Sequence, residues 1–261
     1  HLVFDCRSAD NIILRDLSFK SDGTSDPHDC ITIDATRGRH GKGFWIDHCE
    51  FEAYFDMNIV TNTRDQVGEP PLLITVSHCR FRDRDPGGGT DHGALGIHGS
   101  DQLPAGADQR TNAYATVYRN VFSHVRRRSP RSSHRTVVHA VNNILDEWGT
   151  SDLQATQQNG MDSGNFGLLV AEANYFKANV LKTAITVAGG SQPARLTVPG
   201  DGPRENKYRN DAVEAVTVGD PIDIAEQYRT ALGAGASVPN VEKITPELRT
   251  QIEAQAGPRA T

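Results

Sequence analysis

Apolar residues recur at every second position in six short stretches of the chain, and the stretches align with one another. The nine-residue units begin at Asn11, Gly43, Leu73, Tyr114, Val137 and Leu168. Positions two and four are apolar in all six: Ile12 and Leu14, Phe44 and Ile46, Ile74 and Val76, Ala115 and Val117, Val138 and Ala140, Leu169 and Ala171. Position nine is Phe19, Phe51, Phe81, Phe122, Leu145 and Phe176, and position seven runs Leu17, Cys49, Cys79, Asn120, Asn143, Asn174. Period-two alternation predicts a strand in each unit, with a corner starting near position seven.

The unit starts lie 32, 30, 41, 23 and 31 residues apart. A strand that turns and recurs at such intervals predicts a solenoid of strands, with equivalent residues stacked about 4.8 Å apart. An Asn ladder at a corner satisfies the backbone groups of each turn, coil after coil. The unequal spacing puts loops of different length at the corners, where functional residues commonly sit. In "FWIDHCEF" this register makes Phe44, Ile46, Cys49 and Phe51 core positions and turns Trp45 and Asp47 outward. His48 has a counterpart in His78, which suits a repeated corner better than a unique catalytic role. Cys49 and Cys79 become ladder neighbours, either paired or, as preferred here, free and buried; Cys6 and Cys30 are another possible pair.

The length of 261 residues and the 37% apolar content suit the narrow core of a solenoid,. We expect one domain over residues 1–261, less regular from 177 to 261. The chain begins at His1, close to the first unit, and the expectation is that the N-terminal part of a longer protein is missing. "ITPELRTQIEAQ" predicts a short C-terminal helix with Thr245 as N-cap and Pro246 in the first turn. There is no apolar run of membrane-spanning length, so no membrane partner is expected. A net charge of -6 argues against nucleic acid,. "RRRSPR" nevertheless gathers Arg126, Arg127, Arg128 and Arg131, with Arg135 nearby. This is either a solvated charge run or a site for an anionic ligand.

Taken together, "HDCITID" (His28 to Asp34), "FWIDHCEF", "HGALGIHGSD" (His92 to Asp101), "RRRSPR" and "VVHAVNN" resemble the pectate lyase superfamily in order and spacing, over about residues 5 to 180. "ALGAGA" (Ala231 to Ala236) is similar to the family's closing segment. The resemblance implies an all-β fold, a right-handed single-stranded parallel β-helix with long corner loops. It also implies a secreted lyase that cleaves an acidic polysaccharide by β-elimination, and we expect a monomer. That chemistry removes a weakly acidic C5 proton, so it needs a base and positive charge on the uronate carboxylate.

Residue by residue, Arg128 in "RSP" matches the family's catalytic arginine and Pro130 its adjacent proline. The family's second arginine falls on Ser133, leaving Arg131 and Arg135 as substrate-binding replacements. The substrate-binding lysine falls on Ala94. His92 matches a family histidine and His98 stands near it, so both join the substrate-binding candidates. Asp29 and Asp56 match calcium ligands, whereas a third carboxylate falls on Val60, with Asn58 able to offer a neutral oxygen. Calcium takes six to eight oxygens, so any calcium here is expected to be weakly held and helped by the polymer.

Three further readings stand beside the pectate lyase. Ala94, Val60 and Ser133 favour a carbohydrate-binding β-helix without catalysis, and the loss of calcium ligands resembles the calcium-independent pectin lyases. A glycoside hydrolase needs paired carboxylates, for which Asp91, Asp101 and Asp108 supply acids but no distinctive spacing.

Overall fold

The computed structural model describes residues 4–5, 10–20, 29–34, 43–52, 57–63, 71–82, 93–99, 113–149, 159–187 and 194–259. Its strands come in threes. β1 (Phe4–Asp5), β2 (Ile12–Arg15) and β3 (Ser18–Lys20) form the first coil. β4 (Ile31–Asp34), β5 (Gly43–Asp47) and β6 (Glu50–Glu52) form the second, and β7 (Met57–Thr63), β8 (Leu72–Ser77) and β9 (Arg80–Arg82) the third. The fourth and fifth hold β10 (Gly93–Gly99), β11 (Ala113–Tyr118), β12 (Val121–Ser123), β13 (Arg131–Ser133), β14 (Thr136–Val141) and β15 (Ile144–Asp146). The last two hold β16 (Met161–Gly164), β17 (Leu168–Glu172), β18 (Tyr175–Thr183), β19 (Ile185–Val187), β20 (Arg195–Thr197) and β21 (Lys207–Val213).

Each strand pairs in parallel with the strand three later, giving three seven-stranded sheets that start from β1, β2 and β3. This is a parallel β-helix, the solenoid of strands that the periodicity predicts and the form that the family resemblance implies. The register is the predicted one: Ile12 pairs with Phe44, Phe44 with Ile74, Ile74 with Ala115, Ala115 with Val138 and Val138 with Leu169. Phe19, Phe51, Phe81 and Phe122 stack face to face at 4.8–4.9 Å, the spacing that parallel coils impose,. The stack continues past residue 177 through β21, where Tyr208 stacks on Phe176.

Position seven carries the predicted ladder, one rung longer than the sequence reading. The Oδ1 atoms of Asn120, Asn143, Asn174 and Asn206 accept the N–H of Cys79, Asn120, Asn143 and Asn174, at 2.8–3.0 Å. Cys49 and Cys79 lie in the same ladder, with the Cys49 N–H donating to Cys79 Sγ at 3.4 Å. Cys30, Cys49 and Cys79 are free, buried thiols, and Cys6 lies outside the described residues. Position six is left-handed in every unit: Asp16, His48, His78, Arg119, Asn142 and Ala173 have φ between 49° and 56°. His48 and His78 therefore hold the corner role expected of them.

Two helices follow the stack. α2 (Pro246–Gln255) is the predicted helix, with the Thr245 side chain accepting from the Leu248 N–H. Its Leu248 and Ile252 pack on Val121 and Ile144 of the third sheet. α1 (Ile224–Leu232) is an addition to the sequence reading and overlaps the start of "ALGAGA". It lays Ile224 and Tyr228 on Val137, Val170 and Tyr114 of the second sheet.

Candidate active site

Arg128 lies between β12 and β13 in a left-handed conformation, φ 57°. Its carbonyl accepts the Leu95 N–H at 2.9 Å, and the next residue, Ser129, donates to Gly160 O at 2.8 Å. The arginine's backbone is thus fastened to strands on both sides. Beside it, Arg127 bridges to Gly93. Alternation along β10 turns Gly96 and His98 to the outer face of the first sheet, and the register places Arg131 next to Gly96,.

Two glycines make room for this cluster. A β-carbon on Gly93 would lie 2.5 Å from Met57 Sδ and 3.3 Å from Arg128 Cδ. One on Gly96 would lie 2.5 Å from Met57 Cε and 2.7 Å from His98 Nε2. Arg128 Nη1 reaches Met57 Sδ at 3.2 Å. Met57, Arg128 and His98 therefore close over backbone that any larger side chain would push away.

Burial and arginine charge together set the electrostatics, burial being the larger cause. Burial lowers the His98 pKa to about 3, and the charges of Arg128, Arg131, His134 and Arg127 add to the effect. His98 is neutral at neutral pH. Asp162 is buried and pairs with Arg131, Nε to Oδ1 at 3.2 Å. Burial raises its carboxyl pKa, opposed by Arg131, Arg128 and Arg127. Three arginines thus surround one buried acid and one neutral imidazole.

The other sequence candidates are dispersed. Arg135 stands at the corner after β13 with its guanidinium 5.7 Å from the Phe166 ring. Arg126, part of the basic run, is buried. Ser133 is buried, as is Ala94 at the position of the family lysine. Asp29 is partly buried beside Cys30, whose thiol burial and the Asp29 charge push up to about 12. Asp56 and His92 lie outside the described residues, as do Asp91, Asp101 and Asp108. Val60 is buried and pairs with Thr32 and Gly96. That rung offers one hydroxyl and no carboxylate, and Asn58, whose Nδ2 donates to Gly93 O at 3.4 Å, keeps its buried Oδ1 without a hydrogen-bond partner among the described residues. One hydroxyl and one amide oxygen fall short of the six to eight oxygens that calcium takes.

Sequence reasoning missed Met57 and Asp162. The signal for Asp162 was present. Asn143 and Asn174 are 31 residues apart, as are His134 and Asn165, which meet at 3.2 Å. The same step carries Arg131 to Asp162.

The pectate lyase family model matches residues 2–193, which include every residue of this cluster. No curated protein matches the chain at a significant level.

Proposed function

The chain belongs to the pectate lyase family, and on that footing we propose that it cleaves an acidic, uronate-containing polysaccharide such as pectate by β-elimination. The observation behind this reading is the fixed Arg128 with Arg127 and Arg131 around the neutral His98. Arg128 takes the C5 proton, the role that its match to the family's catalytic arginine implies. The C5–H electron pair becomes the C4=C5 bond, the C4–O bond breaks, and the leaving oxygen gains a proton from water. Charge building on the uronate carboxylate is stabilised by Arg127 and Arg131, the latter shared with Asp162,. A ring as weakly basic as His98 is a poor acceptor for a C–H proton. It binds and positions substrate as a neutral group. Arg135, on Phe166, contributes to the substrate path and not to proton transfer.

Asp29 and Asp56 would hold calcium only weakly and with oxygens from the polymer, because the rung of Val60 offers no carboxylate,. The protein is taken as a secreted monomer. A second reading, a calcium-independent lyase for methyl-esterified polymer, is favoured by the apolar Met57, Val60 and Ala94 along the cluster.

The test is to incubate the protein with pectate and with methylated pectin, each with and without chelator. The proposal expects a product with ultraviolet absorption from the new double bond, one water lighter than a hydrolytic fragment. New reducing ends without that absorption would mean hydrolysis, and binding without cleavage a non-catalytic module.

A further inference from the structure

The outer face of the second sheet holds a slot that the elimination chemistry does not use. One wall is the sheet. The other is α1, whose Ile224, Tyr228 and Leu232 follow one another at four-residue steps and so share a side of the helix,. The space between them is about 500 Å³, in the range of small-molecule pockets,. The gap is held at a set width. Tyr228 Oη is bonded to Thr116 Oγ1 and lies 3.3 Å from His139 Nδ1, and His139 Nε2 is 2.9 Å from the Glu172 carboxylate. Trp45, Leu73 and Tyr114 line the slot on the sheet side.

One end is polar. Asp47 meets Arg15 Nε at 2.9 Å, His48 Nδ1 at 2.8 Å, Ser77 Oγ at 2.7 Å and His78 Nδ1 at 3.4 Å. The two imidazoles stack at 4.7 Å with planes 13° apart. Lone pairs in near-parallel planes do not converge on one ion, so the group is not arranged as a metal centre. It offers more N–H and O–H donors than its single carboxylate accepts, since a guanidinium alone has five. The Arg15 guanidinium also lies 5.5 Å from the Trp45 ring.

We propose that this slot binds a flat aromatic carboxylate, its ring between the sheet and α1 and its carboxylate at Arg15. An apolar slot lined by the rings of Trp45, Tyr114, Tyr118 and Tyr228 favours an aromatic body, which can stack on them,. An arginine at its end favours a charged acceptor over a neutral one.

Trp45 lines the slot whereas Trp148 is buried against Phe176, so Trp45 emission reports occupancy. The experiment titrates the protein with cinnamate and with cinnamyl alcohol, by calorimetry and by tryptophan emission. Cinnamate is expected to bind saturably at one site and quench Trp45. Cinnamyl alcohol should bind about tenfold more weakly. Arg15→Gln should remove that difference. Leu232→Trp, at a half-exposed position on the helix end, should abolish binding by filling the slot with the fold intact. Arg128→Ala should leave binding unchanged, which separates this site from the lyase reading. No saturable cinnamate binding, equal affinity for the two probes, or binding that survives Leu232→Trp overturns the proposal.

Discussion

A single asparagine in this fold serves four partners. Asn143 accepts the N–H and the Nδ2 of Asn120, and its own Nδ2 donates to Val117 O and to Asn174 Oδ1. All of these groups are buried, where an unmet donor or acceptor costs about 1–3 kcal/mol. Asn143→Ala should therefore lower unfolding stability by about 3 kcal/mol, read from the urea midpoint. A loss of under about 1 kcal/mol would mean that water replaces the ladder. This ladder was legible because its residue type repeats at a fixed place in each unit. The left-handed corner at position six was not, because Asp16, His48, His78, Arg119 and Ala173 fill a conformation whose usual signal is glycine,. His98 makes a pH prediction. Its folded pKa, about 3, lies below the ordinary value of 6.5. Between those values the unfolded chain binds a proton that the folded one refuses, so stability falls as pH falls. The slope approaches about 1.4 kcal/mol per pH unit. His98→Asn should flatten that slope between pH 6.5 and 3 in urea titrations. An unchanged slope would place the proton uptake elsewhere.

The strands of the second sheet were readable as elements because apolar residues take positions two and four of each unit, whereas the three-residue strands β3, β6, β9, β12 and β15 were read only as positions past a corner. α2 was readable because its cap was: Thr245, then Pro246, then Glu247. Thr245→Ala should cost about 1 kcal/mol, and Thr245→Asp should be close to neutral, both judged by thermal unfolding. Equal losses in the two variants would show that the cap hydrogen bond is not what matters. α1 carried a comparable signal in Asp223 followed by Glu226, and the Asp223 side chain does accept the Glu226 N–H. The likeness of "ALGAGA" to a closing segment drew the reading past it. The tail around α2 also has an order that the sequence concealed. Glu242 meets Asn142 and Arg119, the Gly257 N–H donates to His78 O, and Arg259 Nε lies 2.8 Å from Asp16 Oδ1. It descends the left-handed corner from the fifth coil to the first. Those contacts join residues a hundred or more apart, beyond the reach of a local pattern.

At the scale of the whole molecule, the stack explains why part of the site was legible. Parallel coils bring residues one repeat apart into contact, so Arg131 meets Asp162 and His134 meets Asn165. Arg127, Arg128 and Arg131 came from one motif and gather with His98. Arg135 did not, because the corner turns it onto Phe166. The helices take the outer faces of the second and third sheets, while the arginine cluster belongs to the first. Arg128, the proposed base, has its backbone held by the two neighbouring coils. A positioned base contributes about 10²–10⁴-fold to such a step. The decisive measurement is the rate of unsaturated-product formation by Arg128→Ala beside the unaltered protein, with far-UV circular dichroism to show that the coils are intact. The predicted result is a fall of about 10³-fold in kcat; a folded Arg128→Ala protein that keeps the rate of the unaltered enzyme would contradict the account.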